Sequence, residues 1–288
     1  MILNRYFCFS SVVFLTTLSY SPSINGQFTE PARKPMRSFE HSSPSQIYGA
    51  AISPNGSKVV TGTAGAKVWD VETGDLSITL HEHGNYVSSV AFSSDGRRVA
   101  TGDWEGFAMI WDPGTGERTR SFDLDGPATS FPDSGFVVAV AFSPDGKYLA
   151  AGSNSPYRIK VWNIDSGEGL LDIRGVFTQY LGFYPDGQKI LVRQSHNDRG
   201  WGEVWDIHTS EVVTTFEGWQ ATLSPDGSRV VTQPTGGAEY LLYDAETGQL
   251  MHSCPKPDPQ SWDAALSPHG FLITAFLSTP FHKYGDIL

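Results

Sequence analysis

Tyr86-Val87-Ser88-Ser89-Val90-Ala91-Phe92-Ser93-Ser94-Asp95-Gly96-Arg97-Arg98-Val99-Ala100-Thr101 is the stretch on which the fold turns. Tyr86 to Phe92 alternates apolar and small positions, the period-2 pattern of a strand. Ser93 to Gly96 make a tight turn, because Asp bonds locally to backbone and Gly accepts the positive φ that other residues resist. Arg97 to Thr101 returns as a second strand. After a short loop, Gly102 to Gly106, Phe107-Ala108-Met109-Ile110-Trp111 predicts a third strand. Asp112 to Gly116 turn again, and Glu117 to Phe122 form a fourth. No helical period intervenes.

The unit recurs. Its first turn reads Ser53-Pro54-Asn55-Gly56, Ser93-Ser94-Asp95-Gly96, Ser143-Pro144-Asp145-Gly146, Tyr184-Pro185-Asp186-Gly187, Ser224-Pro225-Asp226-Gly227 and Ser267-Pro268-His269-Gly270. A spacing of roughly 40 residues marks a repeat architecture. Third-strand aromatics fall at Trp69, Trp111, Trp162, Trp205 and Tyr243, followed by Asp70, Asp112, Asn163, Asp206 and Asp244. A second turn comes at Thr73-Gly74, Thr115-Gly116, Ser166-Gly167, Thr209-Ser210 and Thr247-Gly248. One four-stranded antiparallel sheet cannot bury both its faces alone. Sheets stacked around an axis bury both, and a large ring at one depth in each fills the gap to its neighbour. The expectation is an all-β β-propeller of four-stranded antiparallel blades over 46–288. About six blades are visible, five complete and one partial.

These elements, Ser-Pro-Asp-Gly, Trp-Asp and Thr-Gly in this order and spacing, resemble the WD-repeat family of β-propellers over about residues 45–275. The Gly-His pair that opens many family repeats is nearly absent: only His83 sits in place, and Glu82 precedes it where Gly would be. The resemblance implies a polar network in the second blade from His83, Thr101 and Trp111, with Glu105 at the position of the usual Asp. It also implies a role for Met36-Arg37-Ser38-Phe39-Glu40-His41 as an N-terminal strand that completes the last blade and closes the ring. Closure would remove exposed sheet edges. Phe271 to Phe276 reads as the second strand of a sixth blade, and Tyr284 to Leu288 as the start of a third, ending before the Trp-Asp. Either the N-terminal strand finishes this blade or the chain is shortened from seven. The nearest fold alternative is the looser propeller of TolB and the seven-bladed lactonases, which shares the Ser-Pro-Asp-Gly turn.

Residues 1–26 differ from the repeats. Arg5 precedes a mostly apolar, uncharged run from Tyr6 to Leu18, and Ser19 to Gly26 is small and polar. This is the layout of a secretory signal peptide, short against the roughly 20 residues of a membrane span. Cleavage is expected after Ser23 or Gly26, with an uncleaved anchor as the alternative. Cys8 lacks the small-residue neighbourhood of a lipidation site. Cleavage would leave Cys254 as the one cysteine, so no intrachain disulfide forms, which suits an exported bacterial propeller. Residues 27–45, rich in Pro, Ser and charge, read as an extended lead-in. Removing residues 1–26 takes the formal charge from −11 to −12, since Arg5 is the only charged residue lost. Such a charge argues against nucleic acid and anionic membranes as partners.

Loops between second and third strands, and between successive blades, share one face. The longest are Asp123 to Gly135 and Gln194 to Gly202. Long loops on a rigid scaffold carry function, and aromatic and Arg side chains are enriched at binding hot spots. The expected partner-binding residues are Tyr86, Trp104, Glu105, Phe131, Asp133, Tyr157, Arg158, Arg199 and Trp201; the plain alternative is that they cap their own blades. Asp123-Leu124-Asp125-Gly126 begins like a calcium loop, but no bidentate Glu follows. His81 and His83 have the spacing of two metal ligands without a third, and blade packing by His83 is the simpler reading. Trp219 and Trp262 occupy equivalent first-strand positions and read as packing residues. Gln179 and Asp263 are the polar exceptions on the first strands, too few for a channel metal, and no hydrolase elbow, zinc helix or phosphate loop occurs. The expectation is a non-enzymatic scaffold outside the cytoplasm, without cofactor or metal, that binds a protein or peptide. The alternatives are a lactonase-like or quinoprotein enzyme, and a remnant of a larger propeller.

Overall fold

Five four-stranded antiparallel sheets follow one another along the chain, each meandering in chain order. They comprise Gly49–Ile52, Lys58–Thr63, Gly65–Asp70 and Leu76–Leu80; Val87–Phe92, Val99–Asp103, Phe107–Trp111 and Arg118–Asp123; Val137–Phe142, Tyr148–Asn154, Tyr157–Asn163 and Gly169–Arg174; Leu181–Phe183, Lys189–His196, Arg199–Asp206 and Val212–Glu217; and Thr222–Leu223, Arg229–Thr232, Glu239–Asp244 and Leu250–Pro255. Asp263–Leu266 pairs with Leu272–Ala275 in a sixth, two-stranded sheet. The computed structural model describes residues 46–124, 135–154, 157–175, 181–196, 199–218, 221–224, 226–234 and 237–255, with backbone alone at 194–196 and 199 and in strands 2–9, 12–19, 38–40, 263–266 and 272–275. Gly270, Phe131, Asp133, Gln179, Trp219 and Trp262 lie outside the described residues. At the N-terminus Ile2–Phe9 pairs with Val12–Ser19, and the segment expected at 36–41 contains a strand, Ser38–Glu40, whose neighbour is Val12–Phe14. No helix among the described residues is long and apolar enough to cross a membrane. Two compact units divide the chain, Met1–Ile190 with Asp206–Glu211, and Leu191–Trp205 with Val212–Leu288.

The turn residues explain why the repeat is written as it is. Ser53 Oγ–H donates to Asn55 Oδ1 at 2.7 Å, while Ser53 Oγ accepts the Lys58 amide at 2.9 Å. The same double use recurs for Ser93 with Asp95 and Arg98, Ser143 with Asp145 and Tyr148, and Ser224 with Asp226 and Arg229. The closing glycines Gly56, Gly96, Gly146, Gly187 and Gly227 all have φ between 70° and 73°. The Asp or Asn after each ring serves the second turn. Asp70 Oδ1 accepts the Thr73 amide at 2.9 Å, and Asn163 Oδ1 accepts those of Asp165 and Ser166, both at 3.0 Å. Asp112, Asp206 and Asp244 accept in the same way.

Ser210 takes the place of Gly in the fourth of these second turns and has φ of 59°, the only non-glycine residue with positive φ among those described. A Cβ there is strained, although glycine loses more entropy on folding. Ser210→Gly is expected to raise stability by about 0.5–1 kcal/mol, measured as an upward shift of the urea midpoint.

The turn carboxylates also make stability depend on pH. The Ser224 hydroxyl and the Ser228 amide hold Asp226 down at about 2. Ser93 lowers Asp95, and the backbone amides of Thr73, Thr209 and Thr247 lower Asp70, Asp206 and Asp244. An Asp whose folded pKa lies below its unfolded value of about 3.9 contributes above that value and loses its contribution as pH falls through the folded pKa. The urea midpoint should therefore hold between about pH 7 and 5 and fall steeply between about pH 4 and 2. A flat profile across the acid range would show that these turns hold no ionised carboxylate.

The cores lie between sheets, as the repeat requires. In the first unit, Val60, Val68 and Leu80 of the first sheet pack with Val99, Met109 and Trp111 of the second. Ile110 and Phe122 of the second pack with Leu149 and Trp162 of the third, and Phe122 stacks on Trp162 with centroids 5.0 Å apart. In the second unit, Phe216 of the fourth sheet meets Tyr243 of the fifth at 5.4 Å. A fourth-strand apolar residue thus covers the third-strand ring of the next sheet. The sheets approach closely enough that a Cβ on Gly102 would lie 2.4 Å from Val137 Cγ1. Each third strand shifts register at its ring, leaving Ser77, Thr119, Leu170, Val213 or Met251 without a cross-strand partner, a β-bulge in every fourth strand.

Candidate functional site

In the second sheet the second strand runs two residues beyond the expected Thr101, to Asp103. The reason is the Asp103 carboxylate. Its Oδ1 accepts the amides of Glu105 at 3.0 Å and Phe107 at 2.9 Å, which folds the loop that carries Trp104. Its Oδ2 lies 2.9 Å from His83 Nδ1, both side chains being fully buried. His83 Nε2 lies 2.8 Å from Thr101 Oγ1, which accepts Trp111 Nε1–H at 2.7 Å. With the imidazole proton on Nδ1, every donor in the chain from Trp111 through Thr101 and His83 to Asp103 points one way and is satisfied. The acid of this network is Asp103, which corrects the expectation of Glu105. Asp103 falls at the strand end, where a carboxylate serves the loop amides and the imidazole together. Glu105 sits beyond it, with its carboxylate against Gly84. Both His83 nitrogens are engaged in packing rather than offered to a metal.

This network fixes two segments, the loop at 103–106 and the approach at 83–86, and they present aromatic rings side by side. Trp104 N–H donates to Tyr86 O at 3.0 Å, and their rings are 4.9 Å apart. Tyr48 meets Tyr86 at 5.5 Å and Trp104 at 5.2 Å, and Phe136 meets Trp104 at 4.9 Å. Four rings from three sheets therefore form one continuous cluster, with Tyr86 39% exposed. Tyr48, Tyr86 and Phe136 each stand immediately before the first strand of their sheet. Beside Phe136, whose carbonyl accepts the Asn154 amide, Asn154 Oδ1 is buried without a hydrogen-bond partner among the described residues.

The other expected residues are placed differently. Tyr157 is 46% exposed. Arg158 is buried, and its Nε and Nη2 hold Asp172 of the adjacent strand at 2.7 and 2.5 Å. That pairing depresses the Asp172 carboxyl and commits the guanidinium to its own sheet. Trp201, in the second unit, donates Nε1–H to Glu203 Oε1 at 2.8 Å, and Trp205 donates to Glu203 Oε2 at 2.9 Å. Trp69 uses Thr61 for this purpose, but the fourth sheet has Val192 at the corresponding place, so Glu203 supplies the acceptor. The side chain of Arg199 is not described. Sequence reasoning missed Tyr48 and Phe136. Their signal was the column shared with Tyr86, one residue before each first strand.

The family model described as WD domain, G-beta repeat matches residues 33–70, 74–112 and 126–163. The chain belongs to the WD40-repeat β-propeller family. It is 30% identical over 219 residues to Periodic tryptophan protein 2 homolog of Schizosaccharomyces pombe, covering 75% of this chain and 22% of that protein. It is 26% identical over 216 residues to WD repeat-containing protein SL1-17 of Schistosoma mansoni, covering 71% of this chain and 67% of that one. It is also 32% identical over 109 residues to the guanine nucleotide-binding protein subunit beta of Arabidopsis thaliana, covering 38% of this chain and 28% of that subunit. The chain thus spans only about a fifth of the first of these relatives and about a quarter of the third, and all three are eukaryotic. WD40 repeats give the ring–Asp and Ser-Pro-Asp-Gly elements their common frame. The aromatic cluster is carried where that frame ends in loops.

Proposed function

We propose that this chain is a non-enzymatic scaffold that binds a protein or peptide on the face formed by Tyr48, Tyr86, Trp104 and Phe136. The cluster carries the reading: four rings in one continuous chain of contacts, partly open to solvent with Tyr86 the most exposed, and with Tyr86 and Trp104 on segments held by a buried polar network. Rigid aromatic surface gives contact area at low entropic cost and is where interface energy concentrates. Family membership agrees in kind, since G-beta-type repeats build display surfaces, though fold alone does not assign a partner. The test is affinity capture with the wild-type chain and a Tyr86→Ala/Trp104→Ala variant of unchanged urea midpoint. Partners lost by the variant support the reading; an unchanged set of partners sinks it.

We further propose that the chain is exported, on the charge-then-apolar layout of Arg5 and Tyr6 to Leu18. N-terminal sequencing of protein from its native source should begin after Ser23 or Gly26. An intact Met1 would overturn cleavage.

A further inference from the structure

We propose that the outer edge of the fourth and fifth sheets is a second docking surface, for an extended segment that combines apolar side chains with lysine or arginine. Four of the large hydrophobic side chains exposed among the described residues, Val212, Val213, Leu250 and Met251, are 42%, 50%, 55% and 43% exposed. They occupy the same two places in adjacent edge strands. At the place opposite the ring the five sheets carry Leu76, Arg118, Gly169, Val212 and Leu250. At the bulge they carry Ser77, Thr119, Leu170, Val213 and Met251. Only the fourth and fifth sheets expose large apolar side chains at both. The two pairs flank one contact, in which Thr214 Oγ1–H donates to Glu246 O at 3.5 Å. They are therefore neighbours on one rim, not scattered surface residues.

The backbone specifies the form of the partner. Val212–Glu217 is the last strand of its sheet, and among the described residues no strand pairs with its outer side. Such an edge is a template for an added strand. Natural edges are blunted by charge, as Arg118 and Arg120 do in the second sheet, whereas the Val212–Glu217 edge is charged only at its last residue. Charge specifies the composition of the partner. Residues 212–255 contain Glu217, Asp226, Glu239, Asp244 and Glu246 against Arg229 alone. Glu246 is exposed beside the rim, in the turn before Leu250, and Glu217 is exposed at the far end of the Val212 strand. A second copy of this chain would bring the same negative charge to the interface and is disfavoured, while a basic segment gains from it.

The experiment is fluorescence anisotropy with the full chain and three synthetic probes: a peptide of alternating valine and lysine, its valine–glutamate counterpart, and a valine–lysine peptide interrupted by proline. The first should bind at least tenfold more tightly than the other two. Val213→Asp/Met251→Asp should weaken it at least tenfold, and Trp104→Ala should leave it unchanged. Both altered residues are exposed, so folding is retained. A second variant, Val212→Lys, repels the probe without adding acid to the rim and should weaken it likewise. No binding by the valine–lysine peptide, equal binding by the glutamate peptide, or indifference to both rim variants overturns the proposal. So does a concentration-dependent dimer in sedimentation that Val213→Asp/Met251→Asp abolishes, because the rim would then serve a second copy.

Discussion

Trp111→Ala is expected to lower the free energy of unfolding by about 3–5 kcal/mol, read from the urea midpoint at constant slope. Trp111 is fully buried, between Leu80 of the preceding sheet and Val99 and Met109 of its own. Removing it opens a cavity between two sheets, where neither can collapse without losing register. The indole N–H also occupies Thr101 Oγ1, so truncation disturbs a buried polar chain as well as a core. The same change at Trp205 should cost less. That indole is half-buried, and its N–H shares Glu203 with Trp201. Equal losses at the two positions would mean that burial between sheets is not what the rings contribute.

Asp103→Leu should cost about 3–5 kcal/mol, while Glu105→Gln should cost less than about 0.5 kcal/mol. The first leaves His83 Nδ1 and the amides of Glu105 and Phe107 without their acceptor in a fully buried place. The second changes a half-buried carboxylate outside the network. Asp103→Leu should also weaken partner capture beyond its effect on folding, because it releases the loop that sets Trp104 against Tyr86. The reverse order of the two costs would restore Glu105 as the network acid.

The repeat was legible because each of its residues answers a local need. Ser, Asp and Gly of the first turn, and Asp or Asn of the second, bond within a few residues of themselves, so their pattern survives in a single chain. The rings were legible because period-2 alternation assigns them to a buried face. The network acid was misread because Asp103 and Glu105 both lie near a strand end. Only the extension of the strand to Asp103 decides between them. Arg158 looked like a binding residue because Asp172, its partner across the sheet, is fourteen positions away. Tyr48 and Phe136 went unnoticed because each looks like an ordinary strand-start aromatic until the sheets are set side by side.

The central claim is that partners dock on the Tyr48–Tyr86–Trp104–Phe136 cluster, displayed by loops at one end of the sheets. Hydrogen–deuterium exchange of the chain with and without a captured partner tests it most directly. Protection should appear at 46–49, 84–88, 103–106 and 135–138 and be absent from the second turns at 73–75 and 115–117. Protection confined to those turns, with the aromatic loops exchanging as in the free chain, would contradict it.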